Sequence, residues 1–117
     1  MSSTIQRHEV GVRMSEVAIH NGVVYLAGQV STDATLDATG QTRHVLAAID
    51  ALLKLAGTDK TKILRAQIYL ANFADFAAMN AVWDAWVVTG HTPPRATVQS
   101  VLAKPEWKVE IVVTAAV

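Results

Sequence analysis

The chain of 117 residues contains no cysteine, only three prolines, and few aromatic residues: three tryptophans, two tyrosines and two phenylalanines. The missing cysteines exclude a disulfide scaffold, a zinc finger and a thiolate nucleophile. Charged residues are also scarce, at 17%, against the ~25% usual for a soluble domain. Ten Lys and Arg balance ten Asp and Glu. A net charge of zero argues against a phosphate-backbone partner, which needs a clustered excess of basic residues. No apolar run approaches the ~20 residues that span a bilayer, and none resembles the h-region of an export signal. The cytoplasm is therefore the expected location, with neither membrane nor nucleic acid as a partner.

What is abundant is apolar side chain, 51% of residues. The length suits a single domain over residues 1–117 that buries about two thirds of its unfolded surface. So much apolar and so little charged material cannot cover a small monomer, which points to self-association.

Two helices are legible. Val45, Ala48, Ile49, Leu52, Leu53 and Ala56 recur at the 3.6-residue period, with Asp37 or Thr39 as N-cap and Gly57 as stop. A second stripe runs through Phe76, Met79, Asn80, Trp83, Trp86 and Val87, with Asn72 and Asp75 at its start and Gly90 at its end. Residues 5–10, 16–20, 23–28, 63–70, 96–101 and 108–115 read as strands. Asn21-Gly22 joins the second and third as a tight hairpin, because both positions tolerate φ > 0. The order β-β-β-α-β-α-β-β predicts an α+β fold, with two helices on one face of a sheet. Residues 23–27 and much of 111–117 are apolar on both faces. Two helices cover only one face, so the other is expected to pack against a second copy of the chain, the competing reading being two strands simply central in the monomer.

Phosphate-binding glycine loops, H-E-x-x-H and G-x-S-x-G are all absent. His8, His20, His44 and His91 show no metal-ligand spacing, so no metal is expected. Attention falls instead on Thr92-Pro93-Pro94-Arg95-Ala96-Thr97-Val98, where two prolines aim Arg95 from the start of a strand. Glu110 lies in the last strand, on the face opposite Val109, Ile111 and Val113. Adjacent strands would let Arg95 and Glu110 share a cavity. A plain Arg95–Glu110 or Lys108–Glu110 surface pair is the competing reading. Asn80 is an amide on an apolar stripe, so it either bonds a nearby turn or serves a site. Gln29 at a strand end is equally ambiguous.

Four segments resemble the Rid family of reactive intermediate deaminases, also called the YjgF or RutC family. They are Tyr25-Leu26-Ala27-Gly28-Gln29-Val30, Asp75-Phe76-Ala77-Ala78-Met79-Asn80, Pro94-Arg95-Ala96-Thr97-Val98 and Val109-Glu110-Ile111. The resemblance covers essentially the whole chain. Trp83-Asp84-Ala85-Trp86-Val87-Val88, with Gly90-His91 shortly after, is similar to the YoaB-like branch.

The resemblance implies a chorismate-mutase-like mixed sheet backed by two helices. It further implies a homotrimer around a closed inner barrel, with ligand sites between subunits. The implied activity is cofactor-free hydrolysis of 2-imino and enamine acids, such as 2-iminopropionate, to 2-keto acids and ammonia. Arg95 matches the arginine that grips the substrate carboxylate, and Glu110 the acid that holds water and moves protons. Asn80, Ala27, Gly28, Thr97 and Met14 match cleft positions. The family's deaminases usually carry a hydroxyl residue at Ala27, a cysteine or similar residue at Thr97 and a tyrosine near Met14, which puts substrate identity in question. A non-catalytic trimer that binds small carboxylates, or acts as a chaperone-like partner, is the competing implication.

Overall fold

The computed structural model describes residues 4–117, so residues 1–3 of the expected domain lie outside the described residues. Six strands form one mixed sheet: β1 (Gln6–Val10), β2 (Ser15–His20), β3 (Val23–Leu26), β4 (Ile63–Leu70), β5 (Arg95–Gln99) and β6 (Val109–Ala116). Their spatial order is β1-β2-β3-β6-β4-β5, and only the β4–β5 pair is parallel. Helices α1 (Ala38–Leu55) and α2 (Phe76–Trp86) occupy the two crossovers. The last strand is thus inserted at the centre, between β3 and β4.

Local chemistry explains the element ends. Asn21 (φ 51°) and Gly22 (φ 78°) turn the β2–β3 hairpin, as the dipeptide predicts. Asp37, rather than Thr39, caps α1 by accepting from the Gly40 amide at 2.8 Å. At the other end the Thr58 amide donates to Leu53 O and the Gly57 amide to Lys54 O, with Gly57 at φ 85°. This paired closure needs the left-handed residue that glycine supplies. Helix α2 departs from expectation. Asn72 caps a short 3₁₀ turn, Phe73–Asp75, and α2 stops at Trp86, four residues before Gly90. Val87 leaves the helix in an extended conformation and packs against the core instead.

The core lies between the helices and one sheet face. Val17, Val24, Leu26, Ala66, Ile68, Val109, Ile111 and Val113 come from the sheet, and Val45, Leu46, Ile49, Leu53, Met79 and Trp83 from the helices. The thinnest dimension is 20 Å, the depth of one sheet and one helix layer. The opposite sheet face carries no layer from this chain. Tyr25 is 51%, Leu64 48% and Val98 43% exposed there.

One buried polar side chain ties the loops to this frame. Gln41 is 0% exposed. Its amide nitrogen donates to Leu36 O and Glu106 O, each at 3.0 Å, and its oxygen accepts from the Lys108 amide at 2.9 Å. Leucine at this position would leave three partly buried backbone groups without this partner. Gln41→Leu is expected to cost about 2–4 kcal/mol, read as a lower urea midpoint at unchanged slope.

Candidate functional site

The pleat assigns each site residue to a face. Arg95 opens β5 and pairs with Ala66, which in turn pairs with Val113. Ala66 and Val113 are buried under the helices, so Arg95 faces the helix layer. Glu110 pairs with Tyr69, and Tyr69 with Val98, on the open face. Strand β4 therefore separates the two residues, and their side chains leave opposite sides of the sheet. Two strand spacings and three residues along the strands put their Cα atoms roughly 14 Å apart. The expectation of adjacent strands sharing a cavity within one chain is overturned, because β4 pairs in parallel with β5 and takes the place beside it. Neither of the surface pairs, Arg95–Glu110 or Lys108–Glu110, forms.

Arg95 is half-buried among neutral groups of α2. Its Nη1 donates to Asn80 Oδ1 at 2.8 Å and lies 4.0 Å from Met79 Sδ. Its Cζ sits 5.3 Å from the centre of the Trp83 ring. Asn80 thus bonds Arg95 and not a turn. The Pro94 carbonyl accepts from the Ala66 amide at 3.1 Å, which fixes the approach to β5 as the proline pair suggests. Two residues on, Thr97 shares the helix-side face, and its hydroxyl is buried with no hydrogen-bond partner among the described residues. The half-buried guanidinium has no carboxylate partner among the described residues.

Glu110 has a different setting. Its carboxylate lies over the Cα of Gly28, where any Cβ would collide with Oε2 and approach Cδ to 3.0 Å. Among the described residues it accepts no hydrogen bond. Beside it is a cavity of about 260 Å³ whose walls include Tyr69, Leu102, Ala103 and Val112. The Ala27 amide donates to Glu16 O at 2.9 Å, and Gln29 Nε2 donates to both Glu16 Oε1 and Ala27 O at 3.1 Å. Gln29 therefore buttresses the strand end that carries Ala27 and Gly28.

The structure thus gathers the expected residues into two groups, Arg95–Asn80–Thr97 and Ala27–Gly28–Glu110. Met14 joins neither by contact: it is 51% exposed in the β1–β2 turn, where its carbonyl accepts from the Gly11 amide. Sequence reasoning missed Trp83 and Met79 as neighbours of Arg95, because both read as core on an apolar stripe. It also missed Glu16, whose one signal is an acid next to the apolar run Val17-Ala18-Ile19 of its strand. No group of three or more acidic, His or Cys side chains that could hold a metal occurs among the described residues. No helix among them is long and apolar enough to cross a membrane.

Gly28 yields a direct test. The colliding atom belongs to the far end of a flexible side chain, so Gly28→Ala should fold with a stability within ~1 kcal/mol of wild type. The Glu110 carboxylate should nevertheless be displaced, visible in a crystal structure of the variant. An unmoved carboxylate would show that Gly28 does not set its position.

Residues 4–117 match the family described as Endoribonuclease L-PSP. A RutC family protein of Haemophilus ducreyi is 54% identical, with 97% of each chain covered. The RutC family protein YoaB of Escherichia coli is 51% identical over 97% of this chain and 99% of its own. In three dimensions, NMB1025 of Neisseria meningitidis, a member of the YjgF protein family, superposes with a TM-score of 0.95. It shares 46% identity over 97% of this chain and 95% of its own. With the fold, the Pro-Arg strand start and the Gly28–Glu110 contact all in place, the chain belongs to the YjgF/RutC (Rid) family, close to YoaB.

Proposed function

We propose that the protein is an imine/enamine deaminase that hydrolyses 2-imino acids to 2-oxo acids and ammonia, in clefts between the subunits of a homotrimer. One observation carries this reading. A half-buried guanidinium held only by neutral groups, and a carboxylate without a hydrogen bond, leave opposite faces of one sheet. A site that uses both requires two chains. The uncovered face bearing Tyr25, Leu64 and Val98 supports burial against further copies.

The chemistry follows from the residues. A 2-imino acid presents a planar carboxylate that a guanidinium edge binds bidentately. Glu110 of the neighbouring subunit, as general base, takes a proton from water as the oxygen adds to the C=N carbon. The C=N electron pair moves to nitrogen, which takes a proton from solvent, balanced by the hydroxyl proton released to solvent at the end. Glu110 returns its proton to the nitrogen, the C–N bond breaks, and the hydroxyl proton is lost as C=O forms. Imine and water become 2-oxo acid and ammonia, with no electron acceptor. Because imines are already reactive, positioning supplies much of the rate. Ala27 and Met14 lack the hydroxyls usual at these positions, so the preferred side chain is expected to differ from that of the usual substrates.

Arg95→Lys keeps the charge but loses the planar fork. It is expected to cost roughly 1.5–3 kcal/mol, about 10- to 150-fold in kcat/KM, in an assay that generates imines with an amino-acid oxidase. Glu110→Gln should retain carboxylate binding while turnover falls. Wild-type rates in Arg95→Ala would rule the site out.

The shared cleft has its own test. Light scattering should give a trimer mass at micromolar concentration. Arg95→Ala and Glu110→Gln chains, each inactive alone, should regain activity when unfolded together and reassembled. In a random trimer about a quarter of the interfaces then unite an intact arginine with an intact glutamate. No recovery in a mixed trimer would place both groups in one subunit and sink the shared cleft.

A further inference from the structure

We infer that Trp83 is a positioning residue for Arg95. With Asn80 and Met79 it forms a preformed guanidinium cradle on α2 that leaves one edge of the arginine for a carboxylate. This rests on the reading of Arg95 as the group that binds the substrate carboxylate.

The cradle is built from three neutral contacts. Asn80 Oδ1 takes one Nη1 proton at 2.8 Å, Met79 Sδ lies 4.0 Å from the same nitrogen, and the Trp83 ring faces Cζ at 5.3 Å. A guanidinium has five donors, and the Nε and Nη2 donors of Arg95 have no partner among the described residues. Those two nitrogens share one edge, which matches a carboxylate's two oxygens.

The chemistry of the cradle is selective. An acidic residue in place of Asn80 would also hold Arg95, but it would neutralise the charge and compete with an anionic ligand. An amide and a π face hold the cation and leave its charge available. Trp83 has little freedom to turn, being 5% exposed. Its ring lies 5.4 Å from that of Trp86. Trp86 Nε1 donates to Asp50 Oδ2 on α1 at 2.9 Å, and Lys60 Nζ sits 5.1 Å from the Trp86 ring centre. The plane of the Arg95 guanidinium is thus referred, through two indoles, to the long helix. A ligand meeting an already ordered arginine loses less side-chain entropy on binding.

Two measurements test this. Arg95→Ala empties the cradle, and methylguanidinium is then titrated while the Trp83 indole N–H is followed by NMR, assigned with Trp83→Phe. Saturable shifts are expected in Arg95→Ala, with none in wild type, where Arg95 fills the cradle; in Arg95→Ala/Trp83→Leu, followed at the Asn80 side-chain amide instead, saturation should be lost. Absence of saturation in Arg95→Ala overturns the cradle. In the otherwise intact protein, the Kd for pyruvate should rise roughly 2- to 5-fold in Trp83→Phe and 5- to 20-fold in Trp83→Leu. Folding is checked by thermal melts, and the phenylalanine variant keeps most of the packing. Lower melting temperatures with an unchanged pyruvate Kd in the folded variants would reduce Trp83 to a core residue and overturn the inference. If wild type binds no pyruvate, the carboxylate reading of Arg95 fails, and the methylguanidinium titration still decides the cradle.

Discussion

Strand β6 has hydrogen-bonded neighbours on both sides but helices on only one face, and the rest of the molecule depends on this. Val109, Ile111, Val113 and Ala115 close the core, while Glu110, Val112, Thr114 and Ala116 point the other way. With a side-chain period of two, Glu110 cannot join the helix side without expelling Ile111. The register through β4 carries the same constraint to β5, where Arg95 falls on the helix side. The separation of the two charges is therefore a property of the pleat and not of a rotamer.

Their surroundings differ as their faces do. Arg95 is held by an amide, a thioether and an indole, so its charge is oriented without being cancelled. Glu110 rests on a glycine that removes the one obstacle to its carboxylate. Half-buried charges without counterions are costly in a folded protein unless something answers them. An anionic ligand at Arg95 and a neighbouring subunit over the open face would meet that requirement together.

Much of this was legible in advance. The α1 stripe, Gly57, Asn21-Gly22 and the two faces of the last strand followed from periodicity and backbone sterics, which are local. The end of α2 was not legible. Gly90 is the stronger local stop, yet burial of Val87 against the core drew the chain out of the helix sooner. Trp83 was hidden for a related reason: an aromatic on an apolar stripe reads as core, and only the fold places a cation over its face.

The sequence by itself determined the elements, their order, most of the buried stripe of α1, and Met79 and Trp83 on that of α2, though Leu46 and Val82 are also buried and Phe76 is exposed. Neighbouring residues and short-range periodicity are enough for these. The tertiary structure alone decided that β6 enters between β3 and β4, and that β4 separates Arg95 from Glu110. Strand pairing joins segments distant in the chain, and the order of such pairs depends on which arrangement buries both helices against one face. No local spacing encodes that choice, so the relation between the two charged residues emerged only when the sheet was assembled.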